Sequence, residues 1–478
     1  MKAQPNRARW VLTALAAGLC LRILFVRRHP RIDGDALLYG EIAKNWLHHG
    51  VYGFTTAEGP KPTLIRLPGY PLFLLMCFRI FGVGNYKAAL RVQCIVDIAT
   101  CIVVSKIGRA IAGESDYIEL ITLWLAVLCP FTANYVAKPL TETLRQFCVA
   151  LAFLGLLRWR RGVKHNEAPT VDEAKTPSLL NTRTIWILII AVSLAYAILL
   201  RPDGGLLAAV VLSTMVWVTK CQGLRGVRGY GPTALCGALT LLPLIPWAVR
   251  NKRSFDRFQP LAPRSAKDPG ELVSYGFQQW YRTWAIDFSS TQFVYWEYEE
   301  RKIRITDVPL RAFDSAEQYE RTAVLFDDYN IILKSTPSID ARFAELARER
   351  ITANRLRYYL FLPLARVANM WLRPRIELFP MRARWWEYRK HPSETLIATL
   401  YGALNFGYVI MGLVGLARAV EVPGNVAVVS PLIGFVGVRN LLLATIDNSE
   451  PRYVLECFPL VIALAGVSFI GGKRASLR

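Results

Sequence analysis

The chain has 478 residues, of which 53% are hydrophobic and 20% are charged, a composition that excludes a disordered or fibrous protein. The formal net charge is +22, but no compact basic motif with stacking aromatic residues accompanies it, so the charge does not indicate nucleic-acid binding. The apolar residues are gathered in long runs that a soluble core rarely needs. Much of the basic excess lies beside these runs, where it orients helices and contacts anionic lipid. We therefore expect an integral membrane protein that also contacts membrane lipids.

Ten apolar runs are predicted to cross the membrane. They are residues 10–26, 88–108, 118–134, 140–157, 185–200, 204–219, 232–249, 395–418, 424–444 and 453–471. Basic residues concentrate in the loops 158–184 and 219–231 and in the C-terminal tail, which the positive-inside rule places in the cytoplasm. The stretch 164–184 has the mixed polar composition of a flexible cytoplasmic segment. The sequence thus predicts an all-α polytopic membrane protein with about ten transmembrane helices and both ends inside.

Two further apolar segments are too short or too polar to span. Residues 70–84 are apolar but include Arg79, whereas a span needs about 20 residues. If this segment crossed, every later loop would invert and the basic loops would face outside. We therefore expect a re-entrant or interfacial helix here. Residues 358–372 are predicted to form an amphipathic helix on the membrane face.

This topology divides the chain into three parts. Residues 1–251 would form an N-terminal transmembrane bundle whose first outer loop is 27–87, and residues 395–478 would form the C-terminal transmembrane helices. Between them, 252–394 is expected to be an α-rich outer domain. Its aromatic stretch 280–296 is typical of a core or an interface belt, with stacking on sugar as the alternative.

The first outer loop contains the most informative sequence. Residues 35–49 have helical spacing, with apolar side chains near one face, namely Leu38, Ile42, Ala43, Trp46 and Leu47. Asp35 would then lie at the N-terminus of an amphipathic helix, where the helix dipole favours a carboxylate. The string Arg66-Leu-Pro-Gly-Tyr-Pro71 follows and opens the short apolar segment.

These residues form a recognisable pattern. The pattern consists of Asp35-x-x-x-Tyr39-x-x-Ile-Ala-x-Asn-x-Leu, then Gly50-x-Tyr52, then Arg66-x-Pro-Gly-Tyr-Pro. It resembles a pattern of integral-membrane glycosyltransferases of the GT-C class. The similarity is to the family 39-like group of protein mannosyltransferases, aminoarabinose transferases and lipopolysaccharide-sugar transferases. Weaker landmarks are Leu140-Thr-Glu142, Leu200-Arg201-Pro202-Asp203, Pro246-Trp247-Ala-Val-Arg250-Asn251 and Glu450-Pro-Arg452-Tyr453. The block 252–394 matches no family.

The resemblance implies an activity. It implies transfer of a sugar from a polyprenyl-phosphate-linked donor to a lipid, glycan or protein acceptor on the outer face of the membrane. It also implies that Asp35 is the catalytic carboxylate. Relatives often carry a second acid directly afterwards, but here that position is Ala36 and the extra acid is Asp33. Whether Asp33 shares the catalytic role stays open, and so does any divalent-metal requirement, for which the sequence offers no ligand spacing.

The chemistry fits these residue types. A base for the acceptor hydroxyl contributes about 10²–10⁴-fold to the rate, and Asp35 could supply it or could merely cap its helix. The lipid-phosphate leaving group needs cations or a metal ion. Lys138, Arg201 and Arg452 lie at predicted outer span ends, where they could bind this phosphate or only anchor the helices by snorkelling.

The remaining substrate-binding candidates are Arg66, Tyr39 and Glu142. Arg66 could position donor or acceptor, or only fix its loop, and Glu142 could be a local partner of Lys138. A further acid, Asp97, lies deep within a predicted span, where a charge is costly. We expect it to be structural and paired with either Arg22 or Arg439.

Other functions share parts of this layout. A transporter or flippase of lipid-linked sugars would show internal symmetry and polar groups on broken helices at the midplane, and we find no internal repeat. A lipid-linked oligosaccharide polymerase or ligase and a non-catalytic scaffold are further alternatives. The short chain without a retention signal favours a bacterial inner (plasma) membrane over the endoplasmic reticulum.

Overall fold

A computed structural model describes residues 5–164, 182–382 and 384–470. Most of the loop 164–184, with its predicted flexibility, and the basic tail residues Lys473, Arg474 and Arg478 lie outside the described residues. Within them the chain is almost entirely helical and forms two compact units. The first unit comprises 1–266, 407–436 and 455–478, and the second comprises 267–406 and 437–454.

The first unit begins with eleven helices and one hairpin. Its helices up to residue 266 are α1 Pro5–Arg28, α2 Asp35–His49, α3 Gly69–Phe81, α4 Tyr86–Ile111, α5 Asp116–Leu128, α6 Pro130–Tyr135, α7 Glu142–Lys164, α8 Thr182–Leu200, α9 Gly204–Cys221, α10 Gly226–Leu241 and α11 Leu244–Phe255. Strands β1 Gly53–Thr56 and β2 Gly59–Pro62 pair antiparallel, with Gly53 opposite Pro62.

The second unit begins with shorter helices. They are α12 Tyr275–Arg282, α13 Phe288–Ser290, α14 Ala316–Ile332, α15 Pro337–Ala353 and α16 Leu362–Leu372. Two long helices, α17 Pro392–Glu421 and α18 Val426–Thr445, run through both units, and α19 Phe458–Val467 ends the first. A single turn of π-helix over Arg357–Phe361 leads directly into α16. The predicted helix over 358–372 is therefore present, with its first turn wound more widely.

The protein is an all-α integral membrane protein. Among the described residues, seven helices are long and apolar enough to cross a membrane. They are Asn6–Arg28, Tyr86–Ile111, Thr182–Leu200, Gly204–Cys221, Gly229–Phe255, Pro392–Glu421 and Val426–Thr445. All seven correspond to predicted spans, and the fifth joins α10 to α11 across a short turn.

The other three predicted spans have different forms. The run 118–134 is divided between α5 and the six-residue α6, because Pro130 has no N–H to continue the first helix. The run 140–157 is one 23-residue helix, α7, in which charged residues interrupt the apolar sequence. The run 453–471 starts as 3₁₀ helix over Pro451–Cys457 before the ten-residue α19. The predicted short helix after residue 69 is α3, with 13 residues.

A buried ion pair lies inside the first unit. The Arg22 side chain on α1 is fully buried and lies 2.6 Å from the carboxylate of Asp97 on α4. Arg22 Nη1 also donates to the carbonyl of Val127, 2.8 Å away in the last turn of α5. Of the two partners considered for Asp97, Arg22 is the one it binds, while Arg439 donates to the Tyr453 carbonyl.

The second unit has an aromatic core. Trp280, Tyr281 and Trp284 of the stretch 280–296 are buried, and Phe277 stacks on Tyr298 with ring centroids 3.7 Å apart. These rings pack on the inner faces of α14 and α15. The aromatic residues 280–284 are therefore core residues rather than an exposed surface for stacking on sugar.

Candidate active site

Asp35 lies at the first position of α2, as the helical spacing predicts. The residue before it, Gly34, has a φ of 51°, a left-handed conformation that costs glycine little. The helix buries Ile42 and Ala43 of the predicted apolar face, together with Ala36 and Tyr39. The other members of that face, Leu38, Trp46 and Leu47, are half-buried. The Asp35 side chain keeps 30% of its surface exposed, and a substrate can therefore reach its carboxylate.

Arg66 is the partner of this carboxylate. Its Nη2 donates to Asp35 Oδ1 at 2.9 Å, and its guanidinium carbon lies 5.9 Å from the centre of the Tyr39 ring. Burial raises the pKa of the Tyr39 hydroxyl, and the positive charge of Arg66 opposes part of that rise. The motif residues Asp35, Tyr39 and Arg66 are therefore in direct contact although 31 positions separate the first from the last.

The loop that carries Arg66 is held by neighbouring aromatic and basic residues. The Tyr52 hydroxyl donates to the Arg66 carbonyl at 3.0 Å. Arg250 in turn donates to the carbonyls of Tyr52 and Thr63, at 2.6 and 2.7 Å, and lies over the Trp247 ring. The backbone of Arg66 is thus fixed independently of its side-chain contact with Asp35.

A second pair of candidates lies beside the first. Lys138 Nζ is 2.9 Å from Asp33 Oδ1. The backbone of the same two segments is joined where the Arg31 N–H donates to the Ala137 carbonyl at 2.9 Å. Gln93, fully buried in α4, donates to the Lys138 carbonyl at 3.0 Å. Asp33 and Lys138 are therefore joined by an ion pair between their side chains and lie on segments that are also joined through the backbone.

Arg201 and Glu142 form a third contact. The guanidinium of Arg201 lies 3.9 Å from Glu142, which is almost fully buried, and 3.8 Å from Asp203. The charges of Arg201 and Glu142 both act on the pKa of Tyr39, as those of Arg66 and Asp35 do. The contact of Asp35 with Arg66 and that of Glu142 with Arg201 therefore both influence Tyr39 electrostatically.

Arg452 belongs to the second unit, whereas the other candidates belong to the first. Its guanidinium lies 2.5 Å from the carboxylate of Glu450 and 5.5 Å from the centre of the Tyr453 ring. Glu450 also accepts a hydrogen bond from the Tyr453 hydroxyl at 2.7 Å. The landmark Glu450-Pro-Arg452-Tyr453 is thus a local network of its own.

Sequence reasoning missed two polar residues that support the site. Arg145 on α7 is buried and lies 2.5 Å from both Asp203 and Glu456. The available signal was a charged residue inside an apolar run, here Arg145 in 140–157. The same kind of signal singled out Asp97. Gln93 was the second, and its amide oxygen accepts from the Tyr70 hydroxyl at 2.6 Å. Tyr70 in turn packs edge-on against Tyr39, with ring centroids 5.1 Å apart.

The described part of the chain contains no group of three or more His, Cys, Asp and Glu side chains arranged to hold a metal ion. The charged groups at the site are instead carboxylates in contact with Arg66, Lys138 and Arg201. The paired residues His48 and His49 are exposed at the far end of α2 from Asp35. The side chains of Arg66, Lys138 and Arg201 are positive charges that a phosphate group could contact.

Comparison with known proteins identifies the fold. No protein-family model matches the chain, and no curated protein matches it. Among solved structures, the oligosaccharyltransferase of Archaeoglobus fulgidus, tethered to an acceptor peptide, matches over 96% of this chain with a TM-score of 0.51 and 13% identity. The chain has a GT-C-like fold. It spans about half the length of that archaeal enzyme, since the match covers 49% of it.

Two further solved structures are similar over the same part of the chain. The A. fulgidus enzyme in complex with an inhibitory peptide and a dolichol-phosphate is 13% identical, with a TM-score of 0.49 and 50% of that chain covered. ArnT from Cupriavidus metallidurans bound to undecaprenyl phosphate is 14% identical, with a TM-score of 0.40 and 77% covered. Each match covers 96% of the present GT-C-like chain.

Proposed function

We propose that this protein is a glycosyltransferase that moves a sugar from a polyprenyl-phosphate-linked donor to a lipid, glycan or protein acceptor. The reaction would take place on the outer face of a bacterial inner membrane. The observation that carries the proposal is the pairing of a half-exposed carboxylate, Asp35, with Arg66, beside a second cation, Arg201, that acts on the same tyrosine. A base and phosphate-binding cations are the two components that this transfer needs.

In the proposed step the acceptor oxygen attacks the anomeric carbon of the donor sugar. The new bond from carbon to the acceptor oxygen forms as the bond from carbon to the phosphate oxygen breaks. Asp35 takes the proton of the acceptor hydroxyl, and the polyprenyl phosphate leaves with the electron pair of the broken bond. A positioned base of this kind contributes about 10²–10⁴-fold.

The leaving phosphate gains negative charge as the bond breaks. Arg66 and Arg201 would bind it, because a guanidinium grips phosphate through two hydrogen bonds. Lys138 would contribute a point charge once Asp33 yields its contact. Since each cation now lies against a carboxylate, donor binding would exchange one anionic partner for another rather than expose a bare charge. The role of Arg452 as a further phosphate contact stays a proposal.

The relative supports the class of reaction only. The A. fulgidus enzyme is an oligosaccharyltransferase whose structure holds an acceptor peptide with an NVT sequon. The present chain shares that fold and has an accessible carboxylate, Asp35, beside cations. The sugar and the acceptor of the present protein are left to experiment.

The test is sugar transfer by the purified full chain in detergent. A panel of radiolabelled polyprenyl-phosphate sugars is offered with a crude envelope acceptor, with and without EDTA. Wild type is compared with Asp35→Asn and with Glu41→Gln, a matched control on the same helix whose amide oxygen can still accept the hydrogen bond of the Thr55 N–H. Turnover with one donor, lost only in Asp35→Asn, is the expected result.

Two outcomes would change the proposal. Equal turnover in all three proteins would retain the enzyme but remove Asp35 from the chemistry. Absence of both turnover and donor binding across the panel would reject the glycosyltransferase and favour the transporter or the scaffold. Donor binding is followed separately by retention of labelled lipid, so that a missing acceptor is not mistaken for a missing activity.

A further inference from the structure

The second unit contains a cavity that the proposed reaction does not use. It has a volume of about 630 Å³ and is bounded by α16, by the segment after it and by the first turns of α17. This volume lies within the range of about 300–1,000 Å³ typical of small-molecule sites. Its walls are mostly apolar, and they include Ala368, Leu372, Trp385, Trp386 and Gly402.

The cavity adjoins a helix that is long and apolar enough to cross a membrane. Thr399 and Gly402, which line it, belong to α17, one of the helices long and apolar enough to cross the membrane. Leu396 and Leu400 of the same helix are 59% and 61% exposed, and Leu372 on the opposite wall is 49% exposed. Apolar side chains exposed on a spanning helix face lipid, so acyl chains have direct access to this cavity.

Polar side chains also line the cavity. Asn369 and Arg373 line it on α16 and directly after it. The amide oxygen of Asn369 is buried and accepts no hydrogen bond from any described residue, a condition that is costly unless a ligand supplies a donor. Arg373 is 8% exposed and lies over the Phe288 ring at 4.8 Å. A headgroup with a hydroxyl donor would satisfy Asn369.

The sequence on both sides of the lining residues Trp385 and Trp386 is basic. The segment 382–390 carries four basic residues, Arg382, Arg384, Arg389 and Lys390, against the single acid Glu387. That acid is in contact with Lys390 at 2.9 Å. The carboxylate of Asp287, which also lines the cavity, is compensated by Arg311 at 2.5 Å. An anionic headgroup is therefore favoured over a zwitterionic one.

The geometry points to a binding site for an anionic glycerophospholipid of the surrounding membrane, with its acyl chain between α16 and α17 and its hydroxyl-bearing headgroup at Asn369 and Arg373. Trp385 and Trp386 would lie at the level of the headgroup, as aromatic residues do at membrane interfaces. The site binds lipid as a partner and not as a substrate. It does not depend on the proposed glycosyl transfer, because its occupancy is measured without turnover.

The test is native mass spectrometry of the delipidated full chain with phosphatidylglycerol or phosphatidylcholine of identical acyl chains. Wild type should retain phosphatidylglycerol about tenfold better. Ala368→Trp fills the cavity and should abolish this preference. Leu364→Trp, one turn earlier on the same helix and outside the cavity lining, is the matched control and should behave as wild type.

A third variant separates folding from binding. Asn369→Leu keeps the size of the side chain and removes the buried amide oxygen, so it should lose most of the selectivity while its melting temperature stays that of wild type. If Ala368→Trp unfolds, the lipid selectivity of Asn369→Leu by itself tests the proposed site. Equal retention of the two lipids by wild type, or a wild-type preference in Asn369→Leu, would overturn the assignment.

Discussion

The ammonium group of Lys138 lies 2.9 Å from the carboxylate of Asp33, so a proposed phosphate-binding residue and a proposed catalytic residue are partners of each other. The contact is half exposed, with 52% of the Asp33 side chain accessible. Exposed ion pairs of this kind contribute little, about 0–1 kcal/mol. The phosphate of the donor can therefore displace Asp33 from Lys138 at small cost.

Replacement of Asp33 by Asn tests this relationship. The change frees Lys138, so the donor KM should fall by about two- to fivefold, the equivalent of roughly 0.4–1 kcal/mol. The value of kcat should stay within about twofold of wild type, because the base Asp35 is untouched. Steady-state kinetics with varied donor measures both constants. A loss of kcat comparable to that of Asp35→Asn would instead make Asp33 part of the catalytic pair.

Arg66 is predicted to act through its planar guanidinium as well as its charge. Arg66→Ala should lower kcat by about 10²–10³-fold, the usual loss when one donor to a developing negative charge is removed. Arg66→Lys keeps the charge but not the two-pronged geometry and should recover only part of the activity. Arg79→Ala, an exposed arginine on α3, is the control. Full activity in Arg66→Ala would reduce Arg66 to a loop contact.

The buried pair of Arg22 and Asp97 should be a strong determinant of stability. Asp97→Ala leaves an uncompensated guanidinium inside the first unit and should lower the free energy of unfolding by about 3–5 kcal/mol. The double variant Arg22→Met/Asp97→Leu should be less destabilised than the sum of the two single changes. Unfolding in detergent, followed by circular dichroism, provides the comparison. Strict additivity would mean that the pair is not coupled.

Gly69 should tolerate no side chain. A Cβ placed there would lie 2.6 Å from the Leu199 carbonyl, so α3 and α8 would have to separate. Gly69→Ala should cost about 1–3 kcal/mol and should also reduce activity, because Gly69 follows Arg66 by three residues. Gly162→Ala is the control, since its Cβ would meet no described atom within 4 Å. The two proteins are compared by melting temperature and turnover, and equal behaviour would contradict the close packing.

Acid should lower the stability of the second unit, because the Asp314 carboxylate becomes protonated. Hydrogen bonds from Arg357 hold the pKa of this carboxyl below its ordinary value near 3.8. A carboxyl whose pKa is lower in the folded state than in the unfolded state stabilises the fold at pH values above its unfolded-state pKa. This contribution is lost as the pH falls through its folded-state pKa. Asp314→Asn should therefore melt lower than wild type at pH 6, and the gap should close below pH 3.8. A gap that is independent of pH would exclude this linkage.

Local patterns in the sequence predicted much of this structure. The helix over 35–49 appears with the same bounds because its apolar spacing and the preceding glycine act within a few residues. A short helix after residue 69 was expected from an apolar run below the length of a span, and α3 has 13 residues. Seven of the ten predicted spans are matched by helices that are long and apolar enough to cross the membrane.

Contacts between distant residues could not be predicted in the same way. Arg145 binds Asp203 and Glu456, which lie 58 and 311 residues away, and no local pattern specifies such partners. Asp97 had two possible partners in the sequence, and only packing chooses Arg22. The hairpin at 53–62 lacks the alternation of apolar and polar residues that predicts strands, because glycine and proline occupy its second strand.

The hydrogen bond from Arg22 to the Val127 carbonyl has a consequence for how the chain enters the membrane. A carbonyl in the last turn of a helix lacks the partner that a following turn would supply, and such a group is costly in lipid. The donor to the Val127 carbonyl comes from α1, which is synthesised first. When α5 leaves the ribosome, its open end therefore meets a guanidinium already present in the bilayer. The order of synthesis and the order of hydrogen-bond formation then coincide.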